Sequence, residues 1–172
     1  IAALLLLIFG VQEPQGITRK SEKFPLRWSQ LQLLPKTYWW LVCIGGLFTL
    51  ARFSEAFLLL RARQLQIPLA GIPLIMVAMN LVYAISAYPF GKLSDQLSPQ
   101  LLLRAGMLVL ICADLCFALF DSLTGFLSGI ILWGIHMGMT QGLLASLVSQ
   151  HAPAALRGTA FGMFNLVSGI CL

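Results

Sequence analysis

Charge is scarce in this sequence, and negative charge most of all. Only 10% of its 172 residues are charged, with six acids against eleven Lys and Arg. A water-soluble domain carries roughly 25% charged residues, so this chain has too little polar surface to fold in water. Motifs for phosphate and hydrolytic chemistry are also missing. No GxxxxGKS/T, HExxH or GxSxG is present, which leaves neither an enzyme nor an ATP-driven pump any machinery here. The four cysteines, Cys43, Cys112, Cys116 and Cys171, form no CxxC pair and have no histidine at metal spacing. Neither a metal site nor a cofactor is expected. Cys112 and Cys116 share a helix face, where packing as small apolar side chains is the plainer role.

What the chain does have is apolar length. Apolar residues make up 59% of it, and the mean hydropathy is +0.88. The apolar runs recur from end to end, so a signal peptide does not account for them. The class is an all-α integral membrane protein in contact with the lipid bilayer. The net charge of +5 comes from basic residues beside apolar runs, not interleaved with aromatics, so nucleic acid is not an expected partner. The chain opens and closes inside apolar runs, and we expect it to be a fragment of a longer protein.

In chain order, residues 1–11 read as the end of a span. Residues 12–36 form a polar linker with four prolines and glycines, Pro14, Gly16, Pro25 and Pro35, and five basic residues. Within it, Trp28, Leu31 and Leu34 recur at three-residue spacing, which fits either a short amphipathic surface helix or a basic loop. The bundle proper is 37–172. Complete spans are expected at about 37–60, 70–90, 101–120 and 123–149, each long enough to cross roughly 30 Å of hydrocarbon. A partial span follows at 156–172. Trp39 and Trp40 stand in the aromatic-belt position.

The punctuation between the second and third spans is Tyr88-Pro89-Phe90-Gly91-Lys92-Leu93-Ser94-Asp95-Gln96-Leu97-Ser98-Pro99. Gly91 and Asp95 lie four apart and share a face if the helix continues. Topology follows from the basic residues. Arg19, Lys20, Lys23, Arg27 and Lys36 in the linker, with Lys92, Arg104 and Arg157, fall on one side, and only Arg61 and Arg63 on the other. The positive-inside rule makes the linker and the Gly91–Asp95 loop cytoplasmic.

With these features in place, the chain resembles the C-terminal half of a major facilitator superfamily transporter. Gly91-Lys92-Leu93-Ser94-Asp95 resembles the start of the family's G-x-x-x-D-R/K-x-G-R-R loop. Leu156-Arg157-Gly158-Thr159-Ala160-Phe161-Gly162 resembles the R-G-x-x-x-G opening of the eleventh helix. The basic linker resembles the cytoplasmic connection between halves. The loop departs from the pattern in Gln96 and in Ser98-Pro99-Gln100, with Arg104 the remaining basic residue nearby. The resemblance implies coverage from the end of helix six to the start of helix eleven. It also implies a small-molecule substrate, protons as a coupling partner, a plasma-membrane location (the inner membrane if bacterial), and an N-terminal half to complete the site. Asp95 would meet a helix start in that half, and Arg157 that half's corresponding loop, forming a cytoplasmic gate with Gly91, Arg104 and Gly158.

Ionisable residues at bilayer depth are costly and usually face a cavity or a partner. Arg52 and Glu55, three apart in the first span, would share a helix face, about 22 Å in from Thr37 for Arg52. By resemblance this is the cavity-lining helix seven. Glu55 is expected to bind a proton or a cation, with Arg52 tuning it or holding an anion; the alternative is an ion pair internal to the helix. His136 lies about 20 Å in from Leu123 and suits proton shuttling or a hydrogen bond to a neighbouring helix. Gln141 and Asn80 are further cavity candidates. Gly134, Gly138 and Gly142 form a stripe expected to serve packing. Asp114, the lone acid of the third span, is expected to make a structural hydrogen bond, with proton carriage as the alternative. Met76, Met79, Met137 and Met139 fit a permissive cavity or plain packing.

The functional expectation is secondary active transport by alternating access, with proton-coupled export first and proton-linked uptake second. A non-transporting scaffold is the rival from another class. A channel would need a repeated ring of polar residues, and none is visible.

Overall fold

The computed structural model describes residues 31–52 and 54–172, and every regular element among them is helical. The expected span end at 1–11 and Trp28 lie outside the described residues. Six α-helices follow in order: α1 (Lys36–Ala51), α2 (Glu55–Gln64), α3 (Ile72–Ser94), α4 (Pro99–Leu119), α5 (Leu123–His151) and α6 (Arg157–Cys171). Four stretches among the described residues are long and apolar enough to cross a membrane: Lys36–Gln64, Leu69–Ser94, Pro99–Leu119 and Leu123–His151.

Local chemistry sets most of the helix ends. Proline occupies the first turn of both α3 and α4, where its missing N–H leaves no helix bond unmade. Ser122 caps α5 by accepting from the Gly125 N–H at 3.2 Å, and Pro153 forces Ala152 into extended backbone at the other end. Beyond α2 the chain turns through Gln66 at φ 59°. There the Ile67 N–H reaches the Ala62 carbonyl at 3.1 Å and the Gln66 N–H reaches Arg63 at 3.0 Å. This is a Schellman ending with a non-glycine residue in its left-handed position.

Two boundaries differ from the sequence expectation. The punctuation around Pro89 does not stop α3, which runs on to Ser94. One proline removes one donor, and membrane helices tolerate that loss where neighbouring groups compensate. The larger difference lies in the first span, which is not one helix. Arg52 is extended (φ −88°, ψ 106°), and so is Ser54 (φ −62°, ψ 139°). Ser54 accepts from the Ala56 N–H at 3.4 Å and Glu55 opens α2. A serine cap followed by an acid is a helix-start signal in its own right, and here it divides an apolar run.

The bundle is organised on α5, with fourteen of its 29 residues buried. Its packing neighbours divide into two clusters. One end joins Leu31, Leu34, Tyr38, Leu41 and Leu102 to Leu147 and Val148. The other joins Leu58, Ala62, Met79, Leu110 and Phe126 to Trp133. Leu31 and Leu34 are thus seated on the bundle. Met79, Met137 and Met139 are buried packing residues. α1 feeds the first cluster and α2 the second, so the break at 52–54 falls between them.

Two long-range contacts fix which ends lie together. The Tyr38 hydroxyl donates to the Ala160 carbonyl at 2.8 Å, fully buried. At the opposite end Arg61 pairs with Asp121, and it also donates to Gln64 Oε1 at 3.1 Å and to the Phe120 carbonyl at 3.4 Å. Both contacts fit the alternation of loops read from the basic residues.

At Gly134 and Gly138, α5 approaches the backbone of α3 too closely to leave room for a Cβ. A Cβ on Gly134 would stand 2.8 Å from the Met79 carbonyl, and one on Gly138 2.6 Å from Ser86 Oγ and 3.0 Å from the Ala87 nitrogen. Gly142, the third of the stripe, has open space around it. In the full-length protein, Gly138→Ala should lower stability by about 1–3 kcal/mol through overpacking, whereas Gly142→Ala should be neutral or stabilise by up to about 1 kcal/mol. Thermal unfolding of the two purified variants checks the contrast; equal midpoints would contradict it. Gln66→Gly should stabilise by roughly 1 kcal/mol by relieving the left-handed residue, read in the same assay.

Candidate functional site

A cavity of about 260 Å³ opens beside the break and takes its walls from α1, α5 and α6. The sequence accounts for each wall. Phe48 and Thr49 are half-buried in the last turn of α1, and Arg52 follows as its C-cap residue. His136 and Thr140 are four apart on α5, next to Gln141. Phe161, Asn165 and Ser168 recur at four- and three-residue steps on α6.

Three of the five expected cavity residues are brought together here: Arg52, His136 and Gln141. Glu55 and Asn80 are not among the lining residues. The helix break separates Glu55 from Arg52, so the expected shared face does not exist. No Arg52–Glu55 ion pair forms, and among the described residues the one ion pair is Arg61–Asp121. Glu55 is half-buried in the first turn of α2, where a carboxylate interacts favourably with the helix dipole. Asn80 is exposed on α3 and turns back to its own helix, donating to the Met76 carbonyl at 2.8 Å.

His136 is almost fully enclosed, with 2% of its surface exposed. Its Nδ1 lies 2.8 Å from the Gly106 carbonyl on α4. A carbonyl can only accept, so Nδ1 carries a proton, and the neutral ring offers Nε2 as an acceptor. The Phe48 ring lies parallel to the imidazole, with centroids 6.3 Å apart and planes at 7°. Thr140 Oγ1 donates to the His136 carbonyl at 2.8 Å, and Thr49 Oγ1 to the Gly45 carbonyl at 2.9 Å. Both hydroxyl protons are therefore committed to backbone. Arg52, Gln141 and Asn165 are different, since their side chains make no hydrogen bond to any described residue.

Sequence reasoning missed Phe48, Phe161 and Asn165. Asn165 carried a readable signal as the lone amide of its apolar run. The two phenylalanines carried none, because apolar residues on a membrane helix look alike until packing chooses a face. Asp114 also departs from expectation. Its Oδ1 is buried with no hydrogen-bond partner among the described residues, so the structural bond expected of it is not made at that atom.

The residues expected at the gate lie at the ends of three helices: Gly91 and Asp95 at the end of α3, Arg104 in the first turns of α4, and Arg157 and Gly158 at the start of α6. Gly91 is exposed on α3 with open space at its Cβ. Asp95 is the exposed C-cap residue of α3, on the same continuing turn. Arg157 is the first residue of α6, with Gly158 exposed beside it and open around its Cβ. Arg104 is exposed on α4. No ion pair joins these charges to one another. Asp95 and Arg157 each sit at the helix end whose dipole opposes them, an acid at a C-terminus and a base at an N-terminus. Helix stability does not explain either placement.

These features define a class: a multi-pass helical membrane protein with a cavity of mixed polar and aromatic lining at a helix break in mid-bundle. Comparison with known proteins narrows it. The family model of the Major Facilitator Superfamily matches residues 1–171, and the chain belongs to that family. It is also similar to an uncharacterised MFS-type transporter of Methanocaldococcus jannaschii, at 31% identity over 147 residues. That match covers 80% of this chain and 36% of the relative. A comparison with solved structures gives no significant match. The family is one of transporters and not of enzymes, in keeping with the missing hydrolytic motifs.

Asp95→Asn removes a charge that the α3 dipole opposes. It should leave the thermal stability of the full-length protein unchanged or slightly raised while shifting its conformational balance. The expected shift in labelling of cytoplasmic-side cysteines is roughly two- to five-fold, the population change given by about 0.3–1 kcal/mol. Unchanged labelling with lowered stability would make Asp95 a plain helix cap.

Proposed function

We propose that the full-length protein moves a small molecule across a membrane by alternating access, using the cavity beside the 52–54 break as its half of the central site. The break is the observation that carries this reading. Backbone outside a helix is tolerated at membrane depth only where it is buried in protein or lines a cavity. Discontinuous helices mark substrate sites in secondary transporters. Arg52 lies at this break and lines the cavity. Membership of a transporter family supports the same reading.

Proton coupling is the finer part of the proposal, and His136 is its first carrier. It is the cavity's imidazole, held in place through Nδ1, and imidazole changes charge near physiological pH. Glu55 and Asp114 are the alternative carriers. Export is the direction we assign, on the family resemblance alone; proton-linked uptake would use the same residues. The gate would be the Gly91–Asp95 loop with Arg104, Arg157 and Gly158, answered by an N-terminal half. The plasma membrane is the proposed location.

His136→Asn in full-length protein keeps a donor for the Gly106 carbonyl and removes the titrating ring. In liposomes under an imposed pH gradient, with a panel of small molecules, it should lower substrate-dependent proton movement roughly ten-fold or more. Substrate counterflow should persist. Coupling retained in His136→Asn and lost in Glu55→Gln would move the proton to Glu55. Counterflow of no compound by a protein that folds and binds would overturn transport in favour of a membrane scaffold.

A further inference from the structure

We infer that the ligand of this cavity is a small organic anion, a carboxylate on an apolar and preferably aromatic body. The inference rests on the reading of the cavity as a substrate site and adds the chemistry of what it holds.

The cavity is unbalanced in charge and in hydrogen-bonding capacity. Arg52 brings a full positive charge, and no Asp or Glu among the described residues lines the cavity. The acids among the described residues are Glu55, Asp95, Asp114 and Asp121. Glu55 lies beyond the break, Asp95 at the α3 terminus, Asp114 on α4, and Asp121 is held by Arg61. None of them pairs with Arg52.

The committed and uncommitted groups divide by type. Thr49 and Thr140 spend their hydroxyl protons on carbonyls of their own helices, and His136 spends Nδ1 on Gly106. What remains free is rich in donors: the guanidinium of Arg52 and the amides of Gln141 and Asn165. A guanidinium carries five N–H donors and no acceptor, in a planar fork that matches a carboxylate. Two amides beside it can donate to the same oxygens. A cation would meet Arg52 with repulsion, and a neutral ligand would leave the guanidinium without a counter-charge at membrane depth, where that is costly.

The aromatic side chains of the same walls fit the rest of the molecule. Phe48, Phe161 and Phe164 present aromatic rings to the same space, and aromatic pairs gain from offset or edge contacts beyond simple burial. The size of this half-site, about 260 Å³, is under the range of drug-sized pockets and suits a small molecule.

The test is equilibrium binding to purified full-length protein in nanodiscs, which does not depend on transport. The probes are a series of aromatic monocarboxylates from benzoate to 2-naphthylacetate, each beside its amide and its amine. Saturable binding of one or more carboxylates is expected, with no competition from the matched amide or amine. Arg52→Gln should weaken it roughly ten- to a hundred-fold, as loss of a charge-assisted contact does, and Arg52→Lys should restore part of it. If Arg52 only neutralised an acid of the other half, Arg52→Gln would change the stability of the ligand-free protein and leave carboxylate binding unaltered. That result overturns the inference, as does competition by the amines or the absence of carboxylate binding across the series. Liposome flux separates the two readings. Carboxylate binding without flux would remove transport and keep the anion site, whereas flux of an amine or amide without carboxylate binding would do the reverse.

Discussion

A bilayer offers the backbone no water, and most of this structure follows from that. Each N–H and C=O in the hydrocarbon needs a partner inside the protein, so the apolar runs become helices and the non-helical backbone moves to their ends. Arg52 and Ser54 are the exception, both extended in the middle of a span-length stretch. Ser54 satisfies one freed donor through its side chain, and Arg52 lines a cavity. Interruption and cavity therefore occur together for a physical reason: backbone outside a helix at that depth must be buried in protein or line a cavity.

The break also divides the packing. α1 belongs to the cluster containing Tyr38, Leu102 and Val148, and α2 to the one containing Leu58, Leu110 and Trp133. α5 passes through both, and its glycines let α3 approach to backbone contact at Gly134 and Gly138. Each half of the interrupted span is pinned to a different element. Tyr38 is bonded to α6 through Ala160, and Arg61 to the α4–α5 turn through Asp121 and Phe120. Between these anchors lies the cavity; Leu144 of its walls belongs to the first cluster, and Phe161 and Phe164 pack against that cluster.

Charge is used sparingly, and its placement separates structure from function. Arg61 and Asp121 neutralise each other between two elements. Glu55 sits where its helix dipole favours it. Asp95, Arg157 and Arg52 have no such account within the described residues. The first two oppose their helix dipoles, and the third carries an unshared charge beside free amides. Groups that local stability does not explain are the ones a ligand or a partner surface would use.

The sequence by itself determined the class and the presence of four span-length apolar stretches. Hydropathy and basic-residue placement are one-dimensional properties that a bilayer reads directly. It also pointed to Arg52, His136 and Gln141, because polar groups in an apolar run are conspicuous. Only the tertiary structure decided which of them meet. Glu55 looked like the natural partner of Arg52 at helical spacing, yet three residues of spacing mean a shared face only if the helix continues, and Ser54 ends it. Asn80 looked as good as Gln141, but α3 turns it outward while α5 turns Gln141 in. Phe48, Phe161 and Asn165 were invisible as a group because they come from two helices about 110 residues apart. The face each helix buries is fixed by packing against its neighbours, and in lipid, where every face is apolar, that choice leaves little trace in the sequence.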